Sequence, residues 1–393
     1  MKFGVRLLKS SAFLGLFLLT LPALTFAQNY LQTNLVSDIV GMAPTIDPNL
    51  KNPWGITRSA GSPWWVSNNN SGTSTLYNAA GLPVNINPPG ATPPTENFVT
   101  VPPPAFEPTA VSAPTGIVFN GSKTDFLLKS GVNAHFIFDT EDGTISAWAG
   151  GLNAELEVDN SDNGSANGAV YKGATSGEFK GNKYLYVTNF RSAKVEIYNT
   201  QFKRVHFGDD AFNPNSECDR DDHVHDCDND DRVPEGFAPF NIQNIGDTLF
   251  VTYAKQDAPR HDPVGGAGFG YVKIFTLDGK LIGHLQHGDW MNAPWGVVWT
   301  TRDFGTFSNS ILVGNFRSGW IAAFDGFTYK FKGFVENPDN SIMFIDGIWS
   351  LTFANDGTAG TANTLYFSAG INDENDGLFG TITPTDGQTG ENE

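Results

Sequence analysis

YLYVTNFRSAKVEIY, Tyr184 to Tyr198, and ILVGNFRSGWIAAF, Ile311 to Phe324, are one phrase written twice. Each copy is a short apolar run, a polar Asn-Phe-Arg-Ser turn and a second alternating run, which is the pattern of a β-hairpin. Working outward, small or Pro residues lead into an apolar strand at NPWGIT (Asn52), APTGIVF (Ala113), APFNIQ (Ala238), APWGVVW (Ala293) and DGIWSLTF (Asp346), with a weaker copy, GAVYKGA, at Gly168. A second strand follows each, as PWWVSN, HFIFDT, YLYVTN, LFVTYA, ILVGNF and LYFSAG, and then a third, from STLYNAAG in the first unit to LFGTITP in the last. Shorter fourth strands include KLIGHL and KFKGFV.

Six such units, about 50 to 70 residues apart, match the four-stranded blades of a β-propeller. A pair of stacked β-sandwiches does not explain why the phrase recurs six times. The sixth unit stops after its third strand, and YLQTNLVSD, Tyr30 to Asp38, supplies a fourth. The predicted fold is therefore all-β, a six-bladed propeller closed by its N-terminal strand. It is expected over residues 28–384, with 385–393 as a flexible tail.

The first 27 residues carry Lys2, Arg6 and Lys9, an apolar stretch from Ala12 to Leu24, and Thr-Phe-Ala before Gln28. That layout predicts a cleavable secretory signal over 1–27, hence a secreted or periplasmic protein. The tail PTDGQTGENE is polar and predicts no C-terminal anchor, and no later stretch has the roughly 20 apolar residues a membrane span requires. Loss of the three basic residues takes the net charge from −18 to −21, which disfavours nucleic acid and anionic membranes as partners.

The series NLVSD, NPWGI, PTGIVFN, FDTEDGTISAW, YLYVTNF, GFAPFNIQNIGDTLFVTYA, APWGV, LVGNF and IDGIWSLTF resembles a family of secreted six-bladed propellers, some with a C-terminal sorting signal that this chain lacks. The blades resemble NHL repeats and the gluconolactonase group more remotely. The resemblance implies that the loop entering the innermost strand and the turn between second and third strands open on one face, the top. Asn189, Arg191, Asn315 and Arg317 are then expected together there. Corresponding turns add Asn68, Asn69, Asp139, Glu141, Lys255 and Asn372. Entering loops add Trp54, Trp295 and Trp349, with Asn52, Asn292 and Asp346 beside them.

Aromatic faces and amides around a concavity suit a small polar or carbohydrate-like ligand. The structural alternatives are Trp wedged between blades, Asn bonding its own turn, and arginine in an inter-blade salt bridge. Gluconolactonase-like propellers hold a divalent metal through a Glu, an Asp and Asn residues. Here no entering loop offers a Glu, which weakens a metal-assisted hydrolase or lyase reading, and no Gly-x-Ser-x-Gly elbow is present.

Two long departures from the repeat, a Pro-rich insertion at 86–114 and an acidic one at 207–236, are expected to overhang the top. The acidic insertion holds Cys218 and Cys227, which in an exported chain read as a disulfide. Zinc is the competing reading because His223 and His225 lie between them, although the spacing is unusual for zinc. Asp226, Asp228 and Asp230 begin like a calcium loop, but Asp231 stands where the turn Gly belongs and the twelfth-position Glu is missing. The readings are a weak calcium site or a solvated acidic lid.

Overall fold

The computed structural model describes residue 1 and residues 29–86, 96–217 and 232–385. Each blade is a short antiparallel sheet. The inner strands are Pro53–Thr57, Pro114–Phe119, Tyr171–Phe179, Phe237–Ile245, Pro294–Trp299 and Ile348–Phe353, in blades one to six. Among the described residues, six of the seven apolar clusters lie between neighbouring blades and the seventh lies on the axis. A strand with both faces buried cannot alternate polar and apolar residues, so WWVSN and FIFDT are buried throughout.

All six inner strands carry a bulge at the same place. Pairing with the second strand slips between Pro53 and Ile56, Pro114 and Ile117, Tyr171 and Gly173, Pro239 and Asn241, Pro294 and Val297, and Ile348 and Leu351. Each bulge inserts one extra residue and kinks the strand. It also brings neighbouring inner strands into near contact. A Cβ on Gly55 would stand 2.7 Å from the Thr115 carbonyl oxygen, and one on Gly296 would stand 2.5 Å from that of Trp349. Glycine is required there for space.

Behind the bulges, side chains of the second strands tie the blades together. Thr188 Oγ1 donates to the Gly173 carbonyl at 3.1 Å and across to that of Phe240 at 3.3 Å, and Ser368 Oγ donates to the Trp54 carbonyl. In blade two an Asp, Asp139, stands opposite the bulge. Its Oδ2 accepts from Thr115 Oγ1 at 3.0 Å, while Oδ1 is buried without a partner. Burial pushes this carboxyl up to about 7, against the hydrogen bond from Thr115.

The ring closes as the sequence predicts. Tyr30–Ser37 pairs antiparallel with Asp376–Pro384, from Tyr30 opposite Pro384 to Ser37 opposite Leu378, and so supplies the fourth strand of blade six. Tyr30 anchors it. Its ring stacks 5.8 Å from Phe307, its hydroxyl donates to the Phe304 carbonyl at 2.9 Å and accepts from the Phe307 amide at 3.0 Å, and the residue is 1% exposed.

Described parts of both insertions depart from the expectation that they overhang the top. Within 86–114, Phe98–Thr100 is the fourth strand of blade one, so the stretch is divided, and 101–113 run along the top to the inner strand of blade two. The Pro-rich composition conceals a strand of three residues. The described part of the acidic insertion also leaves the top. Phe207 packs against Phe179 and Tyr184 at the bottom turn of blade three, and the Phe212 amide donates to the Gly279 carbonyl of blade four at 2.8 Å. Its aromatic residues are drawn to the apolar seam between those blades. Cys218, Cys227, Asp226, Asp228 and Asp230 lie outside the described residues.

Two outcomes test this fold. Tyr30→Phe is expected to cost about 1 kcal/mol and Tyr30→Ala about 3–5 kcal/mol of unfolding free energy in denaturant titrations. For Asp139, a folded-state pKa raised above the unfolded value makes its contribution full below pH about 4 and progressively lost as pH rises to about 7, roughly 4 kcal/mol in all. Asp139→Asn should flatten the stability curve over that window, and an unchanged curve would contradict the assignment.

Candidate functional site at the top of the channel

Superposing the six repeats puts Trp54, Thr115, Lys172, Phe240, Trp295 and Trp349 at one position, the first residue of each bulge. In every blade but the second the bulge turns it toward the axis. Trp54 stacks on Trp349 at 3.5 Å, Phe316 stacks on the other side of Trp349's cluster at 3.9 Å, and Trp54 meets Trp295 edge-on at 6.1 Å. The Trp295 indole donates across the ring to the Lys172 carbonyl at 2.8 Å, and that of Trp349 donates to Asn52 Oδ1 at 3.1 Å. These rings plug the axis. The expected ligand-facing tryptophans are instead 2%, 4% and 0% exposed for Trp54, Trp295 and Trp349.

Four of the six are aromatic and Thr115 is a small hydroxyl residue; Lys172 is the one charged member, with its side chain 0% exposed. Its Nζ lies 5.1 Å from the Trp54 ring centroid and 5.7 Å from that of Phe190. It pairs with Glu141, from the top turn of blade two, and lies 3.4 Å from Asp262. A buried ammonium needs such partners, because desolvation is costly unless charge and hydrogen bonds compensate. Asn69 Nδ2, from blade one, completes Glu141 by donating to Oε2 at 2.7 Å.

Blade four contributes through a long turn. His261 Nδ1 lies 2.9 Å from Asp262 Oδ1; this bond raises the imidazole and, with Lys172 near, holds the Asp262 carboxyl well below the usual range. Blade six contributes Glu374, whose turn places Asn372, Asp373 and Glu374 consecutively in left-handed backbone, at φ 55°, 52° and 65°. Asp346 Oδ2 accepts from the Asn372 amide at 2.9 Å, Asn70 Nδ2 donates to the Glu374 carbonyl at 2.6 Å, and Asn52 Nδ2 approaches Glu374 Oε1 at 3.4 Å. Burial, then the neighbouring Glu141, pushes the Glu374 carboxyl up to about 7, opposed by Lys172 and Arg317.

The NFRS turns come to this face as expected, but their side chains differ in use. Asn189 accepts from the Ser192 amide at 3.2 Å and Asn315 from the Asn292 amide at 2.9 Å, so both serve their turns. Arg191 Nη1 donates to the Gly168 carbonyl at 2.9 Å. Arg317 Nε donates to the Pro263 carbonyl at 3.2 Å, and its guanidinium sits 4.6 Å from the Phe316 centroid. Among the described residues neither arginine forms a salt bridge. Lys255 Nζ lies over Phe269 at 4.2 Å.

Lys172, Asp262 and Glu374, which no single motif marks, also come to this mouth. The first was readable from the repeat, as the one charge in a column otherwise of four aromatic residues and Thr115. The other two had no repeat signal, since they sit in turns of irregular length. Glu141, His261 and Asp262 present ligand atoms within 4.8 Å of one another, a donor set with the chemistry of a divalent-cation site. Lys172 already supplies a cation to both carboxylates.

No protein-family model matches the chain. It is similar to three proteins of Acanthamoeba polyphaga mimivirus described as uncharacterized. The first is 30% identical over 264 residues, covering 66% of this chain and 45% of that protein, so this chain spans less than half of its length. The second is 29% identical over 359 residues, covering 88% and 78%, and the third 28% over 368 residues, covering 91% and 86%. Among solved structures, a Bacteroides thetaiotaomicron protein of unknown function aligns at TM-score 0.52 and 10% identity, covering 91% of this chain and 76% of that one. A streptogramin B lyase aligns at 0.47 and 12%, covering 91% and 98%. The PQQ-bound aldose sugar dehydrogenase of Streptomyces coelicolor aligns at 0.46 and 11%, covering 91% and 99%. At 10% identity the likeness to the Bacteroides protein is one of fold alone.

The ion pair itself is testable. Lys172→Met leaves Glu141 largely buried without its cation, and should cost about 3–5 kcal/mol of stability. Adding Glu141→Leu should recover most of that loss. A double variant no more stable than Lys172→Met would show that the pair is not what couples these positions.

Proposed function

We propose that this protein is an exported propeller that binds a small polar, carbohydrate-like ligand in the basin above the aromatic plug. One observation carries the reading. Turns from separate blades bring Asn69, Glu141, Asp262, Arg317 and Glu374 around a channel mouth whose floor is sealed by Trp54, Phe316 and Trp349. Convergent polar groups above an apolar floor are the usual make-up of a small-molecule site. The charged leader at Lys2, Arg6 and Lys9 supports export. No helix among the described residues is long and apolar enough to cross a membrane.

The second reading is a metal-assisted hydrolase or lyase, and the observation in its favour is the convergence of Glu141, His261 and Asp262. Lys172 stands against it, because a dication there would displace or repel an ammonium with no route to water. Metal analysis of the purified protein separates the two: stoichiometric divalent metal lost in His261→Ala favours the enzyme.

A thermal-shift screen of sugars, polyols and sugar acids tests the first reading. A ligand at a hundred times its Kd adds about 2.7 kcal/mol, a rise of several degrees in Tm for a chain of this size. The shift should vanish in Arg317→Ala combined with Glu374→Ala. If the shift survives in that variant, the ligand binds elsewhere.

A further inference from the structure

Arg191 and Arg317 occupy the same position in two copies of one phrase, yet they are anchored differently, Arg191 through Nη1 and Arg317 through Nε. Arg191 spends Nη1 on the Gly168 carbonyl, with the Ser165 carbonyl 3.5 Å away, inside its own blade. Arg317 leans across to blade four, its aliphatic stem against Gly265, and anchors through Nε alone. Among the described residues no protein acceptor bonds either of its Nη groups, and no carboxylate lies within salt-bridge distance. Lys172, the other cation of the mouth, is committed to Glu141 and Asp262. A planar guanidinium fixed at Nε, backed by the Phe316 ring and open at Nη1 and Nη2, presents the fork that a carboxylate fits with two parallel hydrogen bonds.

Glu374 stands at the same mouth, its Oε1 3.4 Å from Asn52 Nδ2, and the Arg317 charge acts on its carboxyl. Three consecutive left-handed residues hold it there, a conformation costing on the order of 1 kcal/mol or more per non-glycine residue. Asn52, Asn70 and Asp346 brace the turn.

Resting on the reading above, we infer that the ligand is a sugar acid, its carboxylate held by the Arg317 fork with the Glu374 carboxyl as a second contact at the same mouth. A neutral carboxyl donates one hydrogen bond to a carboxylate; an ionised one repels it. The groups around Glu374 set the balance. Glu141 of blade two and Asp262 of blade four favour the protonated form, while Lys172 of blade three and Arg317 oppose it. His261 is paired with Asp262, and Lys51 with Asp38 and Asp376. On its own turn Asp373 is exposed, and Asp376 accepts from Asn372 Nδ2 at 2.9 Å. With the carboxyl at about 7, binding takes up a proton above neutrality and weakens as pH rises.

The test is calorimetry of the mature protein with paired probes: D-glucuronate against D-glucose, D-galacturonate against D-galactose, and D-gluconate against D-glucitol. At pH 6 at least one acid should bind about tenfold or more tightly than its neutral partner, and by pH 8.5 should lose about tenfold in affinity. Arg317→Gln should erase the preference for the acid. Glu374→Gln, which keeps a donor but cannot ionise, should retain binding and flatten its pH dependence. Neutral partners binding as well as their acids, or a preference that survives Arg317→Gln, would overturn the inference and leave the polar-ligand reading standing. Silence from every probe would overturn the inference too, and a blank thermal-shift screen beside it would remove the reading on which it rests.

Discussion

The structure depends on how closely six inner strands approach one another around one axis. Each is kinked by a bulge, and where Gly55 and Gly296 meet the next strand there is no room for a methyl group. Ring closure fixes that spacing, because blades that bury both faces must meet edge by edge at a common radius. The first residue of the bulge is then directed toward the axis, where Trp54, Phe240, Trp295 and Trp349 share one small volume. Aromatic rings do this with little conformational entropy, as the stacking of Trp54 on Trp349 shows. The plug is a consequence of the bulge.

One charged departure from that packing shapes the channel mouth. With Lys172 in place of a ring, an ammonium enters the axial cluster and must be neutralised from the only direction left, the mouth above. Glu141 meets it directly and Asp262 from further out. A pair so buried contributes little net stability, since desolvation offsets most of the attraction. Its consequence is positional: it draws the turns of blades two and four over the mouth and lets Asn69 join from blade one. Glu374 is then crowded by Glu141 and removed from water, and its proton affinity rises.

The top and bottom of the propeller are unlike for the same reason. Bottom turns and the described part of the acidic insertion follow apolar seams, as where Phe207 meets Tyr184 edge-on at 4.9 Å. Top turns follow charge. The overall acidity of the chain leaves few cations to place there, and two of them, Lys172 and Arg317, stand at the channel mouth.

The sequence by itself determined the six repeats, their strands, the completion of blade six by Tyr30–Ser37 and the common face of the two NFRS turns, because each rests on local periodicity and on a count of strands. It also contained the anomaly at Lys172, legible once the repeats are superposed. Local pattern could not separate Arg191 from Arg317, identical in context, since Arg191 turns back on Gly168 while Arg317 crosses to Pro263. Nor could it show that Trp54 and Trp349 cover one another, or that Asp262 and Glu374, more than a hundred residues apart, attend one basin. Those facts were decided by ring closure, which sets residues from all six blades against one axis and lets burial and charge there choose the partner of each side chain.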